Sequence, residues 1–218
     1  MIKIFYLLRH GQRIKKIGDQ PLSLLGKQQS MVTATYFSQQ TIDCLVASPL
    51  LRTRQTANFL QKKLQLPICI DTLIRERTNW GDDPYQTSEN FMHNWKKAVI
   101  DRDWQPQVGD SSKVSGSRLE SAIRHYANTD KKYFVFVTHG GIITDFILNI
   151  FPREKINKIS SNFFTKYDKT IHECSITIIK FNYIHDNFSL ACLGTVNHLS
   201  QDMIDTRYSV SDLVKVEN

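Results

Sequence analysis

Two histidines stand at the end of short apolar runs and directly before glycine, in Leu7-Leu8-Arg9-His10-Gly11 and in Val135-Phe136-Val137-Thr138-His139-Gly140-Gly141. Imidazole is both a nucleophile and a proton carrier near neutral pH. Two buried strands that deliver two such rings, one beside Arg9, to the carboxyl edge of a sheet build a site for an anion. A phosphoryl group fits that description, because its transfer asks for in-line positioning and positive charge more than for covalent help from the protein. Taken singly, each residue also has a structural reading: a surface ion pair for Arg9, a backbone-satisfied ring for His10, a buried structural ring for His139.

Arg52 supplies a separate argument. Ser48-Pro49 reads as an N-cap serine with proline at the first helical position. That places Arg52 in the first turn, where the positive end of the helix dipole disfavours a cation by several tenths of a kcal/mol (roughly 0.3 to 1). A bound anion would remove the conflict, and a planar guanidinium can give it two parallel hydrogen bonds. A local carboxylate or solvent would serve equally for Arg52 alone. His139 followed by Gly140-Gly141 repeats the pattern, with imidazole and backbone N–H groups placed to converge on the same oxygens.

The elements that must hold these residues alternate between strand and helix. Strands are read at 3–8, 44–47, 68–70 and 133–137. Helices are read from Ser23 as N-cap to about residue 38 with Leu25, Val32 and Tyr36 on one stripe, and after Pro49 on Ala57, Leu60 and Leu64. Further helices follow over 88–101 on Phe91, Trp95 and Val99, after Asp110 as N-cap on Leu119, Ile123 and Tyr126, and over 141–150, closed by Pro152. The polar stretch 75–90 reads as a loop or lid. Segments 171–181 and 188–196 are β-rich and extend the sheet, antiparallel in one reading. The pattern predicts a three-layer α/β/α fold with a mainly parallel central sheet. Residues 1–200 read as one catalytic domain and 201–218 as a polar tail.

Composition narrows the classes. The chain has 218 residues, 41% hydrophobic and 22% charged, which suits one sizeable core. The apolar start reaches Arg9 too early for a signal-peptide core, and no apolar stretch nears the ~20 residues that span a bilayer, so a cytoplasmic protein without membrane association is expected. Cys44, Cys69, Cys174 and Cys192 are scattered and read as reduced thiols rather than zinc ligands. The net charge of +7 is spread along the chain, so no nucleic-acid partner is expected from it. Zinc-protease, P-loop and dinucleotide motifs are missing from the sequence.

Ordered motifs along the chain resemble the histidine phosphatase, or phosphoglycerate-mutase-like, superfamily. They are Leu8-Arg9-His10-Gly11-Gln12; Pro21-Leu22-Ser23 with Gly26 and Gln29; Ser48-Pro49-Leu50-Leu51-Arg52 with Gln55-Thr56-Ala57; Arg75-Glu76-Arg77; Thr138-His139-Gly140-Gly141; and Asn197-His198-Leu199. The resemblance runs from about residue 3 to 199. It implies a phosphatase that hydrolyses phosphomonoesters through a phosphohistidine on His10, without metal or cofactor. Arg9, Arg52 and His139 would form the phosphate pocket, with His139 most useful when protonated, and Gly11, Gln12, Arg13 and Gly140 would contact substrate. Glu76 would protonate the leaving oxygen, with Asp82, Asp83 and Glu89 as competitors for that role.

The chain departs from the family's usual Gly-x-Trp-Glu-Gly pattern with Asn79-Trp80-Gly81-Asp82-Asp83-Pro84, and carries Arg13, Lys15 and Lys16 where relatives have small or amide side chains. Trp80, Phe91 and Trp95 are open to two readings, as pocket walls or as core. A phosphorylated small molecule or a phosphoprotein is the implied partner. Phosphoglycerate-mutase-type transfer, or a phosphate-binding module with little turnover, stand as alternatives.

Overall fold

The apolar runs become the middle of a six-stranded sheet in the computed structural model, which describes residues 1–161, 163–164 and 171–204. Strands β1 (Ile2–Arg9), β2 (Cys44–Ala47), β3 (Ile68–Ile70) and β4 (Tyr133–Thr138) are mutually parallel, and β5 (Ile176–Asn182) and β6 (Asn187–Thr195) add on antiparallel. The order across the sheet is β3-β2-β4-β1-β5-β6. Buried on both faces, β4 reads as the continuous apolar run expected of a central parallel strand.

Side chains alternate between two cores, as the period of a strand requires. Phe5, Leu7, Val46, Phe134 and Phe136 face α4 (Ser112–Ala127) and α5 (Gly140–Ile150), where they meet Leu119, Ile123, Ile143 and Phe146. Leu8, Leu45, Val135 and Val137 face α1 (Leu24–Phe37) and α2 (Leu51–Leu64), meeting Ala34, Phe37, Ala57 and Leu60. These are the three layers. Helix α3 (Ser88–Ile100) lies outside this scheme and buries Ala98 alone; α6 (Arg153–Ile159) and the short α7 (Gln201–Ile204) complete the described helices.

Several local expectations change. Ser48 does not cap α2: its hydroxyl is drawn to His139, the N-cap is Leu50, and the helix begins at Leu51. Helix α4 is capped by Ser111, whose hydroxyl accepts from Val114 N, rather than by Asp110, which is occupied by arginines. Ser23 caps α1 as read, accepting from Gly26 N. The buried face of α1 is not the Leu25-Val32-Tyr36 stripe, however, but Gly26, Gln29, Ser30, Thr33, Ala34 and Phe37, a small and polar face that suits close packing against the loop after β1. Pro152 does more than end α5, since it is the N-cap of α6. Of the expected tail, Gln201–Ile204 is helical and 205–218 lies outside the described residues.

Candidate active site

The register of β1 with β4 sets the geometry. Arg9 lies opposite Thr138, so the next residue of each strand, His10 and His139, leaves the sheet at the same edge. His10 N donates to Thr138 O at 3.0 Å, and the two ring centroids are 5.2 Å apart.

Gly11 makes the turn that aims His10. A Cβ there would come within 2.5 Å of Gly26 O, and one at Gly26 within 2.0 Å of Gln12 O, so these two backbones interlock only because both residues are glycine. Gly11 N is anchored on Thr56 Oγ1 at 3.0 Å. The turn folds Gly11 O back onto His10 Nδ1 at 2.7 Å. With the carbonyl accepting, Nδ1 carries the proton and Nε2 carries the lone pair. That lone pair accepts from Arg52 Nε at 3.1 Å. Burial first, then Arg52 and Arg9, hold the His10 pKa well below the ordinary histidine value of 6.5.

Arg52 reaches His10 from the first turn of α2 and is itself buried, its pKa pushed down to about 10, chiefly by desolvation. Its Nη1 donates to Asn79 Oδ1 at 3.1 Å and lies 3.6 Å from Asp19 Oδ1. Asp19 also accepts from Leu51 N through both oxygens, at 3.0 and 2.9 Å. The cation at the start of α2 is therefore answered by an anion, as the dipole argument required, and in this state the anion belongs to the chain.

His139 is fully buried with Nε2 on Ser48 Oγ at 2.8 Å, while Nδ1 has no hydrogen-bond partner. Its pKa too is held well below 6.5, by burial and then by Arg52 and His10. The neighbourhood is cationic rather than anionic, so this structure favours a neutral ring, contrary to the sequence expectation. A bound dianion would reverse that sign.

Glu76 and Arg9 complete the ring of charges. Glu76 Oε1 accepts from Arg77 N at 3.0 Å and Ile142 N at 2.9 Å, and Oε2 accepts from Gly141 N at 3.1 Å. The amides at the start of α5, expected to meet phosphate, thus hold this carboxylate instead. Arg9 donates from Nη2 to Glu173 Oε1 and from Nη1 to Ile171 O, both at 2.5 Å. It lies against Gly140, where a Cβ would be 3.3 Å from Arg9 Cδ, and its buried Nε has no partner.

Gln12 and Arg13 turn elsewhere. Gln12 Oε1 accepts from Ser23 Oγ at 2.6 Å, tying the loop to the cap of α1, and Arg13 Nη1 donates to the carbonyls of Ile14 and Lys16 at 3.1 and 3.0 Å. Sequence reading had no signal for Asp19, Asn79 or Glu173 as partners of the arginines, and took Ser48 for a cap. Trp80, in the loop before α3, and Phe91 and Trp95 on that helix form a half-buried ladder, with successive centroids 6.3 and 6.0 Å apart. Among the described residues no three His, Cys, Asp or Glu side chains gather as a metal ion would need.

A mainly parallel sheet with two imidazoles and a buried arginine at its carboxyl edge defines a phosphoglycerate-mutase-like α/β protein. Residues 5–191 match the histidine phosphatase superfamily (branch 1), and the chain belongs to that family. It is 29% identical to a probable phosphoglycerate mutase of Escherichia fergusonii, over 92% of this chain and 96% of that protein. Among solved structures it is similar to a mycobacterial glucosyl-3-phosphoglycerate phosphatase in complex with inorganic phosphate (TM-score 0.67, 20% identity, 91% of this chain and 100% of that one). It is also similar to a phosphoserine phosphatase of Entamoeba histolytica in complex with phosphoserine (TM-score 0.64, 21% identity, 90% and 99%). At such identities the solved structures speak for the fold. No helix among the described residues is long and apolar enough to cross a membrane.

Proposed function

We propose that this chain hydrolyses phosphomonoesters through a phosphohistidine formed on His10, with residues 1–200 acting as one catalytic domain and 201–218 as an appended tail. The observation that carries the reading is the state of His10: Nδ1–H is fixed on Gly11 O, and the Nε2 lone pair faces a guanidinium. A nucleophile held neutral in a cationic pocket is what an incoming phosphate dianion needs. In the first step Nε2 bonds to phosphorus as the ester oxygen leaves with the bonding pair and takes a proton from Glu76. In the second, water attacks the phosphohistidine, gives a proton back to Glu76, and releases inorganic phosphate with neutral His10.

Arg52, Arg9 and His139 would share the charge on the equatorial oxygens. The unpartnered Nε of Arg9 and Nδ1 of His139 are donors or acceptors that a phosphate can engage. The role of Glu76 requires it to leave or rotate from the α5 amides enough to reach the leaving oxygen. Gly11, Gln12, Arg13 and Gly140 line the approach as supports, Gln12 and Arg13 through the loop they brace. The substrate is a phosphorylated small molecule or a phosphoprotein, and the four free cysteines suit a reducing, cytoplasmic setting.

Hydrolysis of an aryl phosphate tests the reading. Activity should persist in excess chelator and vanish in His10→Ala, and a phosphorylated wild-type intermediate should be trapped by rapid quench in base. Full activity in His10→Ala would end the proposal. The likeness to a probable phosphoglycerate mutase favours a second reading, isomerisation of a phosphoglycerate. Isomerisation outrunning phosphate release in the same assay would select it.

A further inference from the structure

Glu76 stands on a stretch that is neither helix nor strand, just past the single 3₁₀ turn Thr72–Ile74. Such a stretch has no ladder of its own to satisfy its peptide groups, and a buried carbonyl without a donor is costly. Here five successive carbonyls are answered from elsewhere in the fold. Thr138 Oγ1 donates to Ile74 O at 2.6 Å, and Asp110 N donates to Arg77 O at 3.0 Å. The other three fall to one guanidinium. Arg118 Nη1 donates to Leu73 O at 2.6 Å and to Arg75 O at 3.1 Å, and Nη2 donates to Glu76 O at 3.5 Å.

Arg118 comes from the second turn of α4 and is itself fixed. Its Nε donates to Asp110 Oδ2 at 2.8 Å, its Nη2 lies 2.7 Å from the same oxygen, and that carboxylate also holds Arg75 at 3.1 Å. Gly109, at φ +93°, lets the loop before α4 lie flat on residues 77 and 78, since a Cβ there would be 2.8 Å from both Arg77 O and Thr78 Cβ. The far end of Glu76 belongs to α5, whose Gly141 and Ile142 amides hold the carboxylate. The two helices interlock at Gly116, where a Cβ would be 2.6 Å from Asp145 O. Main chain and carboxylate of Glu76 are thus tied to a pair of close-packed helices, and α5 starts at the strand end that sets His139 beside His10.

Proton donation requires the carboxylate to turn from the α5 amides to the leaving oxygen and back. We infer that Arg118 is a positioning residue for Glu76: it clamps the carbonyls around that residue, so that the carboxylate makes the turn by side-chain rotation from a fixed Cα. The inference rests on the reading of Glu76 as the proton donor and adds what holds the donor in place. A displacement of about 1 Å in a reacting group can cost about 10²-fold in rate. An ammonium cannot replace Arg118, because one point charge does not reach three carbonyls and a carboxylate at once.

The dependence of rate on the leaving group tests this, because only a poor leaving group needs the proton. Phenyl phosphate and 4-nitrophenyl phosphate are nearly alike in shape, but the nitrophenolate leaves unprotonated. In full-length Arg118→Lys, kcat/KM on the nitrophenyl ester should fall by no more than ~3-fold, while the ratio of nitrophenyl to phenyl rises at least ~10-fold. Glu76→Gln should raise that ratio at least as much, and Arg118→Lys/Glu76→Gln should raise it no further, since both changes act on one proton. Equal losses on the two esters, an unchanged ratio, or a double variant in which the two effects multiply would each overturn the inference. If Arg118→Lys does not fold, Asp110→Asn, which frees the same guanidinium, decides in its place: a ratio up about threefold supports the clamp and an unchanged one overturns it. An unchanged ratio in an active Glu76→Gln removes the donor and the inference with it. A wild type that hydrolyses neither ester sinks the phosphatase reading instead. Amide exchange then decides for Arg118: Gly141 and Ile142 should exchange at least ~10-fold faster in Arg118→Lys with β1 and β4 unchanged, and no acceleration there, or acceleration everywhere, overturns the positioning role.

Discussion

The floor of the site and its rim are built to different standards. On the floor, His10, Ser48, Arg52 and His139 are all buried, each at a strand end or in a first helical turn, and each is bonded to another of the set or to the backbone that carries it. On the rim, the 13-residue α3 buries Ala98 alone, and its aromatics stack on one another rather than in either core. Electrostatic stabilisation of a transferring phosphoryl group depends on charges that do not have to reorganise, which the floor would supply under the proposed chemistry. A leaving group varies from substrate to substrate, and a loosely held rim can adapt to it.

The sharpest way to break the contrast is at the proposed nucleophile. His10→Ala should lower kcat on an aryl phosphate by at least ~10³-fold, since among the described residues His10 is the imidazole whose lone pair accepts from Arg52 Nε. Arg52→Ala should cost ~10² to 10³-fold in kcat/KM, and a loss under tenfold would mean that Arg52 merely fills space. Ser48→Ala leaves His139 Nε2 without its partner, and a drop of ~10-fold in kcat is expected with the melting temperature little changed. Thr87→Ala removes the side chain that accepts from Asn90 N at the start of α3 and should cost about 1 kcal/mol locally. Amide exchange along α3 would then speed up about fivefold while β1 and β4 stay unchanged; equal acceleration in both regions would show that rim and floor unfold as one unit.

Acid pH probes the floor alone. A protonated His10 cannot attack, and its pKa is lowered below 6.5, so the neutral, competent ring persists as pH falls through 6.5. The acid limb of kcat/KM should therefore lie below that of a free imidazole. A limb at or above pH 6.5 would contradict the neutral assignment. Because His10 and His139 bind protons more weakly folded than unfolded, their contribution to stability also declines as pH drops below 6.5. Burial raises the Asp145 carboxyl to about 6, which acts in the opposite direction, so the rate profile is the cleaner measurement.

What the sequence made legible was local. Apolar runs ending in histidine and glycine located both imidazoles and the sheet edge, and Ser23 with its following turn located the start of α1, because each signal lies within a few residues. The partners that orient those groups were not legible. Ser48 meets His139 across 91 positions, Glu173 meets Arg9 across 164, and Asp145 meets Arg77 across 68. A serine before proline carries the same local signal whether it caps a helix or crosses to the neighbouring strand, and only the register of β2 beside β4 decides. Helix α6 was missed for a related reason: a proline that ends one helix can also begin the next.

The carboxylate of Glu76 on the first amides of α5 has a consequence for inhibitor chemistry. Oxyanion mimics are commonly expected to draw affinity from a helix terminus, but here Gly141 N and Ile142 N already serve an internal carboxylate. Compounds aimed at this protein would gain more from groups that fork onto Arg52 and Arg9 than from extra oxygens directed at the α5 backbone.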